Sequence, residues 1–143
     1  AENYVNMLRT EFGDDLIIEL KLSRFPTQKQ YNNFLIKMMT KYNIMPVVSS
    51  DTYYPSREDS VIQDIVTSIK QHRPIDKCSL KENRELWYFG SDDYKKMNTK
   101  HGFNYPDNFL ELCMANTLKV ADKCNFEFET AYFSNFHQGS NFG

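Results

Sequence analysis

Long apolar runs are missing from this chain. No stretch of about 18 hydrophobic residues occurs in its 143 residues, so no membrane-spanning helix is expected. The opening "AENYVNMLRTEFGDD" lacks the basic and apolar regions of a signal peptide. Basic runs are equally scarce. None exceeds two residues and the formal net charge is −2, which excludes a strong grip on nucleic acid through phosphates alone. Cysteines number three, Cys78, Cys113 and Cys124, an odd count with no CxxC spacing. They read as thiols of a reducing compartment, and the expected location is cytoplasmic. The three histidines, His72, His101 and His137, all lie in polar loop-like or tail sequence. Internal repeats are absent too, and the first residue is not Met, which suits a processed or excised segment.

Aromatic residues are what the chain has in abundance: 11 Phe, 9 Tyr and one Trp, 15% of the sequence. With 41% hydrophobic and 25% charged residues, this is the composition of an ordinary folded domain. The length suits one domain with a real core.

Periodicity outlines alternating strands and helices. "LIIELKL" (16–22) alternates as a strand with Ile18, Leu20 and Leu22 on one face. Thr27 is placed to cap a helix over 28–43, with Tyr31, Phe34, Leu35, Met38, Met39 and Tyr42 as its buried stripe and Asn43 as its stop. "IMPVVSS" (44–50) reads as a short strand, apolar on both faces. Ser56 and Asp59 form a capping-box pattern before a helix with the stripe Ile62, Ile65, Val66 and Ile69. Residues 72–84 read as a polar loop, and "ELWYF" (85–89) as a strand. A short helix over 91–97 is capped by Ser91. A last helix has Pro106 at its first position and the stripe Leu110, Cys113, Met114, Leu118 and Ala121. This order predicts an α/β fold with parallel strands and flanking helices.

Asp51 follows the second strand at its carboxyl end, where α/β proteins often place chemistry. It reads either as a turn-stabilising or helix-capping carboxylate, or as a metal ligand. Glu19 reads as a paired surface carboxylate or as a group pointing into a barrel mouth. Cys113 and Cys124 read as helix packing rather than ligands. Trp87, with Tyr88 and Phe89, reads as packing of a helix on the sheet. Stacking on single-stranded bases is the weaker alternative, since no Arg or Lys cluster accompanies these residues.

The segments "EFGDDLIIELKL", "MPVVSSDTYYPSREDSVIQDIVTSIKQ", "LWYFGSDDYKKM" and "NFLELCMANTLKVADKCNFEFE" come in an order that resembles one family. It is the bacterial replicative DNA polymerase III α subunit, over the C-terminal half of its PHP (polymerase and histidinol phosphatase) domain. "ANTLKVADKCNFE" (115–127) and the turn around Asp51 carry the resemblance best. The spacing of Phe133, Phe136 and Gly139 resembles the family's exit toward the polymerase palm.

The resemblance implies a partial PHP domain over 1–130, part of a distorted (β/α)7 barrel, and a linker toward a polymerase domain over 131–143. The family's HxH motif and the palm aspartates have no counterpart here. Its active form reads Asp-x-His at the end of this strand, where this chain has Asp51-Thr52-Tyr53. A phenol is a poor metal ligand beside imidazole. A second family histidine corresponds to Gln63. Asp51 is therefore expected to be the remnant of a divalent metal site, and no cofactor is expected for this chain. The implied role is a structural and interaction module in DNA replication. The implied partners are the rest of the α subunit and a proofreading exonuclease, with DNA met only through the parent polymerase. The alternatives are a metal-dependent phosphoesterase or 3′-exonuclease completed by another chain, and a free-standing, phage-encoded protein binding replication proteins. A half barrel is also expected to leave an apolar strand edge open.

Overall fold

The computed structural model describes residues 2–77 and 85–127. Cys78, His137, Phe133, Phe136, Gly139 and the whole 131–143 linker lie outside the described residues. The elements run α1 (Glu2–Phe12), β1 (Ile17–Lys21), α2 (Gln28–Tyr42), β2 (Met45–Ser49), α3 (Ser60–Gln71), α4 (Ser91–Lys100) and α5 (Asp107–Lys123). Short 3-10 turns occupy Gly13–Asp15, Arg57–Asp59 and Ile75–Lys77. No helix among the described residues is long and apolar enough to cross a membrane.

β1 and β2 pair in parallel, Ile17 opposite Met45 and Lys21 opposite Ser49, and α2 is the crossover between them. The alternation read in β1 is present: Ile18, Leu20 and Leu22 are buried. Pro46 and Val48 are buried on β2, where the expected two-sided burial is not seen. α2 packs on β1 and α5 on β2, against this one face. The alternate residues, Ile17, Glu19, Lys21, Met45, Val47 and Ser49, are exposed or half-buried. Among the described residues the fold is thus α/β with two parallel strands; the expected portion of a (β/α)7 barrel is not shown.

The expected third strand over 85–89 is reduced to one bridge, Tyr54 to Trp87. Tyr53 and Tyr54 donate their N–H groups to the Leu86 carbonyl at 2.7 and 3.4 Å, and Tyr88 donates to Tyr54 at 3.1 Å. Pro55 follows at once, and a residue without an N–H cannot carry the ladder further.

Helix ends follow local chemistry. Asn43 stops α2 in the left-handed region (φ 53°), and the Ile44 N–H returns to the Met39 carbonyl at 3.1 Å. The Asp59 carboxylate accepts from the Ser56 N–H at 3.2 Å and from its hydroxyl at 2.6 Å. Three expected caps are corrected. Thr27 precedes α2 with helical dihedrals and no side-chain cap bond. Gly90, not Ser91, caps α4, with the Asp93 carboxylate 3.1 Å from the Gly90 N–H. Pro106 stands one position before α5 rather than inside it.

α1 was not expected from the sequence. Its residues are not fully buried, and it is held at its ends: Glu2 pairs with Lys41 and accepts from the Tyr42 hydroxyl at 2.8 Å, while Arg9 lies over the Tyr42 ring. Val5 and Leu8 are half-buried, and Val5 packs against the core.

Buried stripes differ from expectation on three helices. On α2, Met38 is buried and Tyr31 is exposed. On α3 the whole stripe Ile62, Ile65, Val66 and Ile69 is exposed. On α5, Leu110, Cys113 and Asn116 are buried, whereas Leu118 is 68% exposed and Ala121 is exposed. Leu118 lies about 140° round the helix from Cys113. The inward face is completed by a polar residue, Asn116, whose amide donates to the Pro46 carbonyl at 2.8 Å. A count of apolar positions alone swings the stripe the wrong way.

Leu110 is 1% exposed. Leu110→Ala is expected to cost about 2–5 kcal/mol, and Leu118→Ala to stay within about 0.5 kcal/mol of wild type. Urea unfolding of both variants checks this, and equal losses would place α5 in the wrong orientation.

Candidate site at the carboxyl ends of the strands

The parallel register sets Lys21 and Ser49 side by side where β1 and β2 end. Two residues on, Asp51 turns back toward β1. The Lys21 ammonium donates to Asp51 Oδ1 at 2.6 Å, with both side chains partly exposed. One layer below, the Ser49 hydroxyl donates to Glu19 Oε1 at 2.5 Å. Glu19 is exposed and paired, as the plainer reading had it. Lys21 is the partner that sequence reading missed. The signal was available only after the register was known.

The Asp51 hydrogen bond holds the Lys21 pKa above its usual 10.5, with burial acting against it. Stability from this pairing is complete below the lysine's unfolded value and is lost as pH rises through the elevated one. A half-exposed pair of this kind is worth about 0–1 kcal/mol.

Tyr53, which the resemblance sets where an imidazole is expected, is 64% exposed. Gln63 is half-buried and its amide donates to the Thr67 hydroxyl at 3.5 Å. A cavity of ≈ 20 Å³ lies between Lys21, Ser49, Ser50, Asp51, Glu85 and Phe89. That volume holds about one water. Among the described residues no group of three or more His, Cys, Asp or Glu side chains is placed to hold a metal ion.

At the rim of this cavity sits a cluster that the sequence did not suggest. Glu85 Oε2 lies 2.7 Å from His101 Nε2, and Glu85 Oε1 accepts from Lys100 at 2.5 Å. His101 lies in the turn after α4, as expected for a loop residue. Its ring is largely covered, and it ties the end of α4 to Glu85. Burial pushes the Glu85 carboxyl up, but the Lys100 and His101 hydrogen bonds outweigh it and the net displacement is downward from 4.5. Stability from Glu85 is therefore present above pH 4.5 and is lost as pH falls through the lowered value.

Trp87 is buried, with its ring 4.9 Å from Phe89 and the Arg57 guanidinium 4.5 Å above it. This is the packing reading of Trp87. Cys113 is fully buried and burial pushes its thiol up to about 11, so it is not a thiolate at neutral pH. Cys124 is exposed, just past α5.

No family model matches the chain. Individual relatives do. DNA polymerase III subunit alpha of Aquifex aeolicus is 29% identical over 134 residues, 90% of this chain and 11% of that protein. The corresponding subunit of Treponema pallidum is 31% identical over 128 residues, 87% of this chain and 10% of its own length. The error-prone DNA polymerase of Allorhizobium ampelinum is 26% identical over 118 residues, 82% of this chain and 10% of its own length. The chain is thus similar to one region of DNA polymerase III α subunits and their error-prone counterparts. It spans about a tenth of the length of the curated relatives it matches.

Asp51→Asn is expected to lower stability by about 0.5 kcal/mol at pH 7, with the difference fading above pH 10.5. Glu85→Gln is expected to cost about 1 kcal/mol at pH 7, fading below pH 4.5. Urea unfolding across pH reads both. A Glu85→Gln loss that grew on acidification would contradict the lowered carboxyl.

Proposed function

We propose that this chain is the C-terminal half of a PHP domain from a polymerase III α-type protein, and that it acts in DNA replication as a structural and interaction module. Its metal site is degraded. The observation that carries this reading is the Lys21–Asp51 ion pair. The carboxylate matched to the family's metal ligand is taken up by an ammonium group, and the residue matched to its imidazole partner is an exposed phenol. A phosphoesterase needs clustered ligands to polarise a phosphoryl oxygen and to make hydroxide near neutral pH.

The flanks of the sheet support the module reading. A groove of ≈ 580 Å³ runs along β1 between α1 and α2, walled by Leu8, Leu16, Tyr31, Phe34 and Leu35. A second, of ≈ 550 Å³, lies beside β2 against Tyr88, Phe89, Met114 and Leu118. Apolar walls on both sides of a two-stranded sheet fit a sheet continued by other segments of a larger domain. The partners on this reading are the rest of the α subunit and, through it, a proofreading exonuclease and DNA. Residues 131–143 serve as the linker toward the polymerase domain.

Dialysis against Zn²⁺ or Mn²⁺ followed by metal analysis tests the degraded site. The expected result is no stoichiometric metal and no phosphodiesterase or 3′-exonuclease activity. Bound metal that vanishes in Asp51→Ala while the chain stays folded would overturn the reading.

A further inference from the structure

A further cavity of ≈ 550 Å³ opens at the amino ends of β1 and β2, at the far end of the sheet from Asp51. Basic side chains reach it from two helices, Arg9 on α1 and Lys119 and Lys123 on α5, against one carboxylate in its lining, Asp14. The whole chain carries a net charge of −2, so positive charge is gathered here against the sign of the molecule. Part of that charge serves helix ends. Arg9 and Lys123 stand in the last turns of α1 and α5, where a cation offsets exposed carbonyls. Lys123 also pairs with Asp15 at 3.0 Å. Lys119 lies one turn earlier on α5 and donates to a neutral group, the Asn116 amide oxygen, at 3.0 Å. Arg9 lies over the Tyr42 ring, 5.5 Å from its centroid. Stacking uses the face of the guanidinium and leaves its N–H donors at the edge. Neither Arg9 nor Lys119 forms an ion pair with a carboxylate among the described residues.

We infer that this cavity binds a small phosphorylated molecule, with its phosphate on Arg9 and Lys119 and its organic part against Leu16 and Met45. The inference goes beyond the module reading and uses only this chain's own walls. The volume lies within the roughly 300–1,000 Å³ that ligand sites occupy, and it exceeds what a phosphate group alone fills. Leu16 and Met45 are half-buried and supply apolar wall beside the cations. A guanidinium offers phosphate a planar fork of donors and an ammonium offers it a point charge, so the two complement each other on one group. Lys123, one turn along the same face of α5 as Lys119, adds to the attraction. A nucleic-acid backbone is a poorer occupant. It needs a track of cations, and no basic run in the chain exceeds two residues. A lone carboxylate from elsewhere in a polypeptide would leave most of the volume unfilled.

The test follows acetylation of Lys119 by peptide mass spectrometry, with inorganic phosphate as the probe and sodium chloride at equal ionic strength as its control. The expected result is labelling of Lys119 slowed at least about tenfold at saturating phosphate, with the exposed Lys37 of α2 unaffected. Arg9→Gln should relieve that protection. If Arg9→Gln loosens α1, seen as a lower melting temperature, Lys123→Gln takes its place. Equal slowing by phosphate and chloride, or protection unchanged in both variants, would overturn the site and reduce it to screening of surface charge. The same labelling in the full-length natural polypeptide separates the remaining occupant. A Lys119 that reacts there until phosphate is added supports the site. A Lys119 shielded there without phosphate, or not slowed by it, would overturn the inference, the first result by assigning the cavity to another part of that polypeptide. All of these outcomes leave the module reading untouched.

Discussion

A buried amide holding a strand carbonyl is the interaction on which the fold depends. Asn116 reaches from α5 to Pro46 on β2, and Asn32 reaches from α2 to the Lys21 carbonyl at the end of β1, at 2.9 Å. Both side chains are almost fully buried. A two-stranded sheet leaves main-chain groups without a neighbouring strand, and each one shut away from water needs a partner. The helices that cover the sheet supply these partners themselves. Helix orientation, strand position and core burial are then fixed together. Asn98 repeats the device at the end of α4, donating to the Tyr105 carbonyl at 2.9 Å and accepting from the Tyr105 N–H at 3.0 Å.

The turn after β2 owes its chemistry to the same frame. Because register places Lys21 beside Ser49, an aspartate two residues later meets an ammonium before it can meet anything else. The Asp51 carboxylate is held there by the Lys21 ammonium at 2.6 Å. The pair joins two strand ends.

Much of the fold was legible in the sequence, and the failures share a cause. β1, α2, β2, α3, α4 and α5 follow from apolar period and from local stop and start chemistry, as at Asn43 and at Ser56 with Asp59. α1 was not read from the sequence: of its apolar residues only Val5 and Leu8 turn inward, and its Glu2–Lys41 and Arg9–Tyr42 contacts depend on partners far along the chain. The stripes of α3 and of Leu118 were legible as stripes but not in direction. Periodicity reports that a helix has an apolar face. It does not report whether that face meets this chain's own core. Asp51 was singled out from its place after a strand, while Lys21, Glu85 and His101 were not. Their roles arise from pairings across 30 and 16 residues of chain, which no local spacing encodes.

Trp87 is the chain's one tryptophan, and it is buried between Phe89 and the Arg57 guanidinium. Arg57 belongs to the turn that leads from Asp51 into α3, and Phe89 packs edge-on to Tyr94 of α4 at 5.5 Å. Intrinsic emission from this molecule is therefore not an average over the domain. It is a local signal from the junction of three segments. Set beside far-ultraviolet circular dichroism, which follows the helices as a whole, it separates loosening of this junction from global unfolding without any label.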